Sequence, residues 1–493
     1  MTNCKGKFIK RALNIMKVFD TAVQQLKHMV LKEIIKNEYD HHIENLYVDI
    51  PKIISPGPKA HFRCCVYKER AIIQERIKLA LGGDKNISSV IEVINIACDE
   101  CPFGGIQVTD LCRGCLSHRC YESCPTGAIS IVDRKCVIDK NKCIQCGKCV
   151  KACPYSAIVK AQRPCVASCK VKAITVDEID SKAVINYDKC VECGACVNTC
   201  PFGAIVDKSF VLETINLLKE SEKGNGKVYA IVAPTIASQF GPATVEQVVA
   251  GIKKLGFYRV EEAAQGADIT LYHELKEWQE KSVITTSCCP SFVQYIEKHH
   301  PTLKKYVSST VSPMVEIAKL IKTIDKQAKC VFIGPCTSKK SEYKLEKTGG
   351  AIDGVISFEE LQAFFDARDI VLTGLEGIEL NDASYYGRIF ARSGGISKGV
   401  VEVGKKYGVD GVKPVAMSGL EECNVNLLKL KLGKSEYNFF EGMACDGGCM
   451  NGALCLRHGM ANAVEIENYG KEAKHKDIER SVDLYKNPRK EYK

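Results

Sequence analysis

The 493-residue sequence lacks a long hydrophobic run: no uninterrupted apolar stretch approaches the ~18 residues that a membrane-spanning helix needs. Its basic beginning, MTNCKGKFIKRALNIMKVF, lacks an apolar segment followed by a small-residue cleavage site and is not typical of a secretory signal. We expect an amphipathic helix there, in a cytoplasmic protein without a membrane partner. The length suits two to four domains.

Cysteine, in contrast, is abundant: the chain has 28, and 17 of them lie between Cys98 and Cys200. A secreted disulfide scaffold would explain such a density, but these scaffolds are usually small. The spacing of the cysteines instead favours thiolates that bind metal.

Two segments contain the complete cysteine spacing of bacterial ferredoxins, C-x2-C-x2-C-x3-C-P. In this spacing three close thiolates bind one [4Fe-4S] cube, and the fourth cysteine ligates the partner cluster. A zinc ribbon is the alternative, but the doubled three-plus-one spacing suits zinc poorly. We predict one cluster on Cys143, Cys146, Cys149 and Cys200, and a second on Cys190, Cys193, Cys196 and Cys153.

A degenerate pair of modules surrounds these two runs. The first has a stretched middle gap, and the second resembles the end of a repeat whose beginning is missing. If these modules also exchange their fourth cysteines, the sequence predicts a third cluster on Cys112, Cys115, Cys120 and Cys169. The thiolates for a fourth would be Cys98, Cys101, Cys124 and Cys165, with idle thiols or a surface zinc site as the alternatives. Cys136 is left over and is expected to be a buried apolar residue.

The formal net charge of +10 would ordinarily suggest a nucleic-acid partner. The lysines and arginines are, however, scattered and form no long basic block. Clusters with four thiolate ligands carry net negative charge, so four or five of them would offset most of the excess. We therefore predict no nucleic-acid partner.

Changes in composition and hydrophobic pattern divide the sequence into four regions. Residues 1–95 are partly helical without a chemical motif, and residues 96–210 form an α+β ferredoxin-like domain. In residues 225–465, apolar strands such as KCVFIGP alternate with helical stretches such as PMVEIAKLIKTI, which predicts an α/β domain with parallel sheets and covering helices. Residues 466–493 form a charged tail.

Three segments of the α/β region place cysteines beside strand ends and turns: residues 285–290, 334–340 and 443–452. Their glycines and prolines allow the backbone to approach a bulky inorganic group. Because loops on a rigid scaffold converge, the residues alone predict thiolates for another cubane.

Together these segments resemble the signature motifs of the [FeFe]-hydrogenase catalytic domain, T-S-C-C-P, P-C-x-x-K-K-x-E and M-A-C-x-G-G-C, over about residues 228–454. The resemblance implies two lobes of mainly parallel sheet. It also implies reversible conversion of two protons and two electrons to H2 at an H-cluster, a [4Fe-4S] cube linked to a two-iron unit with CO, CN and azadithiolate. Ferredoxin or a similar carrier and the maturation proteins of the H-cluster would be partners.

The family's ligand roles transfer to four cysteines. The cubane would be held by Cys289, Cys336, Cys445 and Cys449, with Cys449 bridging to the two-iron unit. The adjacent Cys288 resembles the free thiol that exchanges protons with the bridging amine. Neighbouring residues of an extended segment point to opposite sides, which suits one ligand and one proton donor. Relatives that have lost activity typically lack parts of these motifs, whereas all five cysteines are present here.

The family's proton route would continue through Glu274, Glu277 and Ser308. The two glutamates stand three residues apart on one predicted helical face. We expect both to be partly buried with raised pKa values, because a relay must exchange protons near the working pH. Without the motifs, two solvated charges would be the simpler interpretation.

Several further positions resemble the walls of the family's site. Lys339 would donate to a cyanide ligand, and the remaining wall positions are Ala233, Pro234, Thr235, Pro335, Phe390 and Met443, with an ordinary core role as the alternative for Phe390. Three departures are Gly334 for a methionine, Phe292 for a tryptophan and Met314 for a glutamine. They indicate a divergent branch with changed packing around the two-iron unit. A hydrogen sensor with slow turnover and a non-catalytic polyferredoxin are the alternative functions.

Overall fold

The computed structural model describes residues 18–99, 101 and 104–488. The amphipathic helix predicted at the beginning of the chain lies, up to residue 17, outside the described residues. In the part that the structure describes, no helix combines the length and hydrophobicity needed to cross a membrane.

The helices are distributed along the whole described chain. They are α1 Ala22–Asp40, α2 Leu46–Ile54, α3 Val66–Ala80, α4 Arg119–Glu122, α5 Lys148–Ala152, α6 Pro164–Ser168, α7 Ala195–Thr199, α8 Val211–Glu222, α9 Val245–Lys254, α10 Ala263–Lys281, α11 Pro290–His299, α12 Pro313–Ile324, α13 Lys339–Glu342, α14 Phe358–Ala367, α15 Tyr385–Ile389, α16 Gly395–Lys406, α17 Gly419–Lys431, α18 Ala461–Lys471 and α19 Glu479–Lys486.

The strands form six small sheets. They are β1 Ile91–Val93, β2 Gly105–Val108, β3 Ile129–Val132, β4 Lys135–Ile138, β5 Ile158–Ala161, β6 Ile174–Val176, β7 Ala183–Ile185, β8 Ile205–Asp207, β9 Lys227–Val232, β10 Arg259–Glu262, β11 Ile284–Thr285, β12 Ala328–Gly334, β13 Gly354–Ser357, β14 Pro414–Ser418 and β15 Phe439–Met443.

The amino-terminal region is helical where the structure describes it. A capping box, in which Thr21 and Gln24 bond each other's backbone, begins α1. The predicted periodicity is confirmed at Val30 and Ile34, which are buried in the core that α1 shares with α14. This region therefore packs directly on the α/β domain.

Two ferredoxin-type units follow, and one is inserted into the other. In the inner unit, residues 104–163, β2 pairs with β5 and β3 with β4, all antiparallel. In the outer unit, residues 91–99, 101 and 164–207, β1 pairs with β8 and β6 with β7, also antiparallel. The same two pairings occur in both units, so the inner unit is a complete copy that interrupts the outer one.

The remaining chain forms the predicted α/β fold with two lobes. One lobe is built on a parallel sheet of order β10-β9-β12-β13, and the other on a parallel sheet of order β11-β15-β14. The three cysteine-bearing segments follow the carboxyl ends of β11, β12 and β15. Parallel strands thus direct all three segments toward one region between the lobes.

The charged segment from residue 466 is not an extended tail in the described residues. It completes α18 and forms α19, and Ile466 and Val482 are buried. Ser481 Oγ donates a hydrogen bond to Asp268 of α10 at 2.7 Å. This segment therefore packs on the α/β domain.

Candidate metal centre

Four thiols from three different strand ends converge between the lobes: Cys289, Cys336, Cys445 and Cys449. Burial and the neighbouring Cys336 and Cys289 raise the pKa of Cys449 to about 12. Burial and the same neighbours also raise the pKa of Cys445. The structure therefore brings together the four cysteines predicted to hold the catalytic cubane.

A largely apolar cavity of about 90 Å³ lies beside these thiols. Its lining contains Ala233, Pro234, Cys288, Cys289, Pro335, Cys336, Lys339, Phe390, Met443 and Cys449 from the predicted set. Cys445 is absent from this lining and has Cys193 of the outer unit among its neighbouring charges. The four thiols thus stand between this cavity and the outer ferredoxin unit.

The predicted Thr235 lies beside the cavity without lining it. Its side chain is fully buried, and its hydroxyl has no hydrogen-bond partner among the described residues. Four thiols, an adjoining apolar cavity and an unsatisfied buried hydroxyl fit a [4Fe-4S] cube extended by a further group with polar ligands.

Cys288 reaches the cavity from the residue next to a cubane ligand. Burial, followed by the charges of Glu274 and Cys289, raises the pKa of its thiol well above the usual value. Glu274 is fully buried, and burial raises the pKa of its carboxyl to about 8. Its Oε1 accepts a hydrogen bond from the Ser287 N–H at 3.1 Å, while Oε2 has no partner in the described chain.

The expectation of a raised pKa is wrong for Glu277. Burial would raise this pKa, but hydrogen bonds from Lys281, Ser308 and Ser309 lower it below the usual value. Ser308 Oγ donates to Glu277 Oε2 at 2.5 Å, and Lys281 Nζ lies 2.6 Å from Oε1. Because Lys281 is partly exposed, Glu277 is an anion near the surface, whereas Glu274 is a neutral acid in the interior.

Lys339 places a buried ammonium at the cavity wall. Its Nζ donates to Glu342 Oε2 at 2.6 Å and to the Cys288 carbonyl at 3.3 Å. Burial alone would lower its pKa, but Glu342 and the thiols Cys336 and Cys288 raise it. Lys339 therefore stays charged beside the cavity.

The three departures from the family's motifs occupy different positions. Met314 lines the cavity, whereas Phe292 packs in the core against Gly442. A Cβ on Gly334 would lie 2.7 Å from the ring of Phe332, so Phe332 fills the space of the missing side chain. The remaining wall residues, which the sequence did not indicate, are Ala263, Ala267, Pro290, Pro313, Phe332, Gly387 and Ala391.

The inner unit gathers its cysteines into two sets of four. The inner distal set is Cys112, Cys115, Cys120 and Cys153, which line one small cavity together with Cys136. The inner proximal set is Cys124, Cys143, Cys146 and Cys149, which line another. Cys136 is buried beside the inner distal set, as predicted, and its N–H donates to the sulfur of Cys112 at 3.4 Å.

The outer unit contains two further sets. In the outer distal set, Cys98, Cys101, Cys165 and Cys200, burial and the other three thiols raise the pKa of Cys165 to about 11. In the outer proximal set, Cys169, Cys190, Cys193 and Cys196, burial and the neighbouring Cys190 and Cys169 raise the pKa of Cys193 to about 12.

Each predicted triplet of cysteines is kept together, but the predicted fourth cysteine is wrong in every set. Cys124 replaces Cys200 beside Cys143, and Cys169 replaces Cys153 beside Cys190. Cys153 likewise replaces Cys169 beside Cys112, and Cys200 replaces Cys124 beside Cys98. The reason is topological: exchange occurs within each folded unit, and the inner unit closes on itself before the outer unit resumes.

One set lies next to the four thiols at the cavity. Cys193 of the outer proximal set has Cys289 among its neighbouring charges, and Thr337 Oγ1 donates to the Glu192 carbonyl at 2.6 Å between the outer unit and the α/β domain. The outer proximal set therefore adjoins the four thiols.

Family profiles and curated relatives match two parts of the chain. Residues 226–453 match the profile of the C-terminal domain of the iron only hydrogenase large subunit, and residues 111–157 and 135–201 match 4Fe-4S dicluster domains. Iron hydrogenase 1 of Clostridium pasteurianum is 27% identical over 303 residues, 50% of this chain and 52% of that protein. A probable cytosolic Fe-S cluster assembly factor of Brugia malayi is 27% identical over 252 residues, 41% of this chain and 56% of that protein.

Among solved structures, an apo [FeFe]-hydrogenase from Chlamydomonas reinhardtii aligns with a TM-score of 0.47 and 21% identity, covering 56% of this chain and 94% of its own. The sequence alignments span about half the length of the two curated relatives. On its profile matches, the chain is a divergent [FeFe]-hydrogenase-like protein: residues 226–453 match the C-terminal domain of the iron-only hydrogenase large subunit, and ferredoxin-like 4Fe-4S domains precede them.

Proposed function

We propose that the protein is an [FeFe]-hydrogenase that interconverts two protons and two electrons with H2. The observation that carries this proposal is the Cys288 thiol, which lines the cavity beside the four-cysteine centre and is not needed to hold a cubane. Its raised pKa keeps it a proton-bearing thiol, which suits a donor. A protein that only stored or passed on electrons would have no use for it.

The carboxyls behind Cys288 support a proton route. Glu277 lies next to the partly exposed Lys281 and would take protons from the surface. Glu274 has a pKa of about 8 and would exchange them near neutral pH. Ser308 holds the Glu277 carboxylate in place. In this route Cys288 delivers the proton at the cavity wall.

The cavity has the residues to hold the group that performs the chemistry. When bound, a two-iron unit supplies an open coordination position where protons and electrons meet. Cys449 would join it to the cubane, while Lys339 and Thr235 would hold its polar ligands. The apolar walls exclude bulk water, which strengthens the interaction of Lys339 with an anionic group.

The four accessory sets would carry electrons as four [4Fe-4S] clusters. Electrons would enter at the inner unit and pass through the outer distal and outer proximal sets to the catalytic cubane. Ferredoxin or a similar carrier is the proposed partner, and maturation proteins would install the two-iron unit. We propose the cytoplasm as its location, although one relative is named a periplasmic hydrogenase.

A second function has its own support. Several relatives are named cytosolic Fe-S cluster assembly factors, including one from Yarrowia lipolytica that is 30% identical over 146 residues. Such a role would use the cubanes without a two-iron unit. Infrared spectra of protein produced with the maturation proteins distinguish the two, because only the hydrogenase or a hydrogen sensor gives metal-bound CO and CN bands.

The Cys288→Ser variant tests the enzyme directly. We expect iron content and CO bands near those of wild type, while H2 evolution from a reduced carrier falls at least ~100-fold, because a serine hydroxyl gives up its proton less readily. Cys64→Ser, which removes an exposed thiol, should leave the rate unchanged. Undiminished turnover in Cys288→Ser would remove Cys288 from the route, and slow turnover in wild type would favour a sensor.

A further inference from the structure

Buried arginines surround the outer distal set, Cys98, Cys101, Cys165 and Cys200. Arg76 and Arg163 are each only 4% exposed. Neither forms an ion pair with a carboxylate in the part of the chain that the structure describes. A buried cation without an anionic partner is costly, so these two positions call for an explanation.

Arg163 stands directly before α6, which carries Cys165. Its Nε and Nη1 have no hydrogen-bond partner among the described residues. Burial raises the pKa of the Cys101 thiol, and Arg163 is the foremost charge that opposes this rise. Arg163, two residues before Cys165 in the chain, is therefore a neighbouring positive charge of the Cys101 thiol.

Arg76 approaches the same set from α3. Its Nη2 donates to the Gly203 carbonyl at 2.6 Å, while its Nε has no partner in the described chain. Burial lowers the pKa of Arg76, and Cys200 is the foremost charge that raises it. Arg63 adds a third guanidinium, whose Nη2 donates to the carbonyls of Ala97 and Phe202 at 3.2 and 3.1 Å.

The other sets have different surroundings. Arg113 and Arg119 line the cavity of the inner distal set, but both are exposed, so water screens their charge. The outer proximal set has the carboxylate of Glu192 and the exposed ammonium of Lys298 as neighbours of Cys190. Buried positive charge is therefore concentrated at the outer distal set.

We propose that Arg76 and Arg163, assisted by Arg63, form a cationic shell that gives the cluster of the outer distal set the highest reduction potential of the accessory clusters. This rests on the proposed cluster content. Reduction adds negative charge, and nearby cations in a dry environment stabilise that charge. Because of the shell, an electron that passes along the proposed series of accessory clusters would reside longest on this cluster. Because Arg63 and Arg76 lie in residues 1–95, the shell also assigns that region a role in setting the reduction potential of this cluster.

A redox titration of the fully loaded chain, followed by electron paramagnetic resonance, tests the shell without measuring H2 activity. Cys165→Ala first identifies the cluster's signal by its loss. In Arg163→Met and Arg76→Met this signal should move to a more negative midpoint potential. Arg163→Lys, which keeps the charge, should move it less, and Arg113→Met should leave it in place.

The inference is overturned if both methionine variants keep every midpoint potential at its wild-type value while their iron content is normal. It is also overturned if the signal that moves is not the one lost in Cys165→Ala. If wild-type protein loaded its other clusters but lacked this one, the proposed cofactor content would fail together with the shell. Arg76→Lys provides the second measurement if Arg76→Met does not fold.

Discussion

At the scale of single residues, two carboxyls on one helix face have opposite properties. Glu274 and Glu277 are three positions apart on α10, yet burial raises the pKa of the first, and three donors overcome burial to lower that of the second. Environments that separate the pKa values of two acids typically assign them different tasks. In the proposed route the anion would collect protons near the surface and the neutral acid would pass them inward.

Glu274→Gln should stop this transfer, because an amide of the same shape has no exchangeable acid proton at neutral pH. We expect H2 evolution to fall by a factor of about 100 or more, in the range of a lost general acid, with iron content unchanged. Glu280→Gln, on the exposed side of the same helix, is the matched control. Equal rates in the two variants would contradict the route.

The raised pKa of Glu274 also predicts a pH dependence of stability. The folded protein binds this proton up to about pH 8, whereas the unfolded chain releases it near pH 4.5. Its contribution is therefore complete below about pH 4.5 and is lost as the pH rises through 8. Glu274→Gln lacks this loss, so its melting temperature relative to wild type should increase from about pH 5 to about pH 8.5. A constant difference would contradict the assigned pKa.

At the scale of elements, the inserted ferredoxin unit decides which cysteines share a cluster. The triplets could be predicted because their spacing is local and fixed by one turn of chain. The fourth cysteines could not, because sequence order alone does not say whether two modules are nested or each folds separately. The antiparallel pairing of β2 with β5 closes the inner unit and settles this point.

A double variant distinguishes the two pairings. If Cys124 and Cys143 hold the same cluster, Cys124→Ser/Cys143→Ser should lose about four iron atoms, as either single variant does, because each [4Fe-4S] cube is lost as a whole. If Cys200 were the partner of Cys143, the double variant would lose about eight. Cys64→Ser, an exposed cysteine outside every set, should retain all its iron.

The catalytic site was predictable to the extent that its residues carry chemistry. Thiols, carboxyls and a lysine at motif positions could be found in the sequence, whereas Ala263, Ala267 and Gly387 line the cavity with no chemical signal. The lowered pKa of Glu277 depends on donors from Ser308 and Ser309, which only the folded chain brings close. Local patterns thus indicated the reacting groups, and long-range packing supplied their environment.

At the scale of the whole molecule, a buried ion network joins the amino-terminal helix, the outer ferredoxin unit and the α/β domain. Lys340 is fully buried and donates to Asp207 and Glu360, each at 2.8 Å. Lys27 of α1 pairs with the same Asp207 and, at 2.7 Å, with Glu359. Burial alone would raise the pKa of Asp207, but Lys27 and Lys340 hold it well below its usual range.

Lys340→Met should therefore weaken the association of the amino-terminal helix, the outer ferredoxin unit and the α/β domain. The variant leaves Asp207 and Glu360 with too little positive charge, and breaking a buried pair from one side typically costs about 3–5 kcal/mol. We expect a lower midpoint of guanidinium denaturation under anaerobic conditions, compared with Lys344→Met, which removes an exposed lysine four residues away. Because the Asp207 pKa is depressed, this difference should persist at neutral pH and shrink only below about pH 4, where the carboxylates become protonated. Equal midpoints for the two variants would mean that the three parts are held together by apolar packing, and that the network contributes nothing to their association.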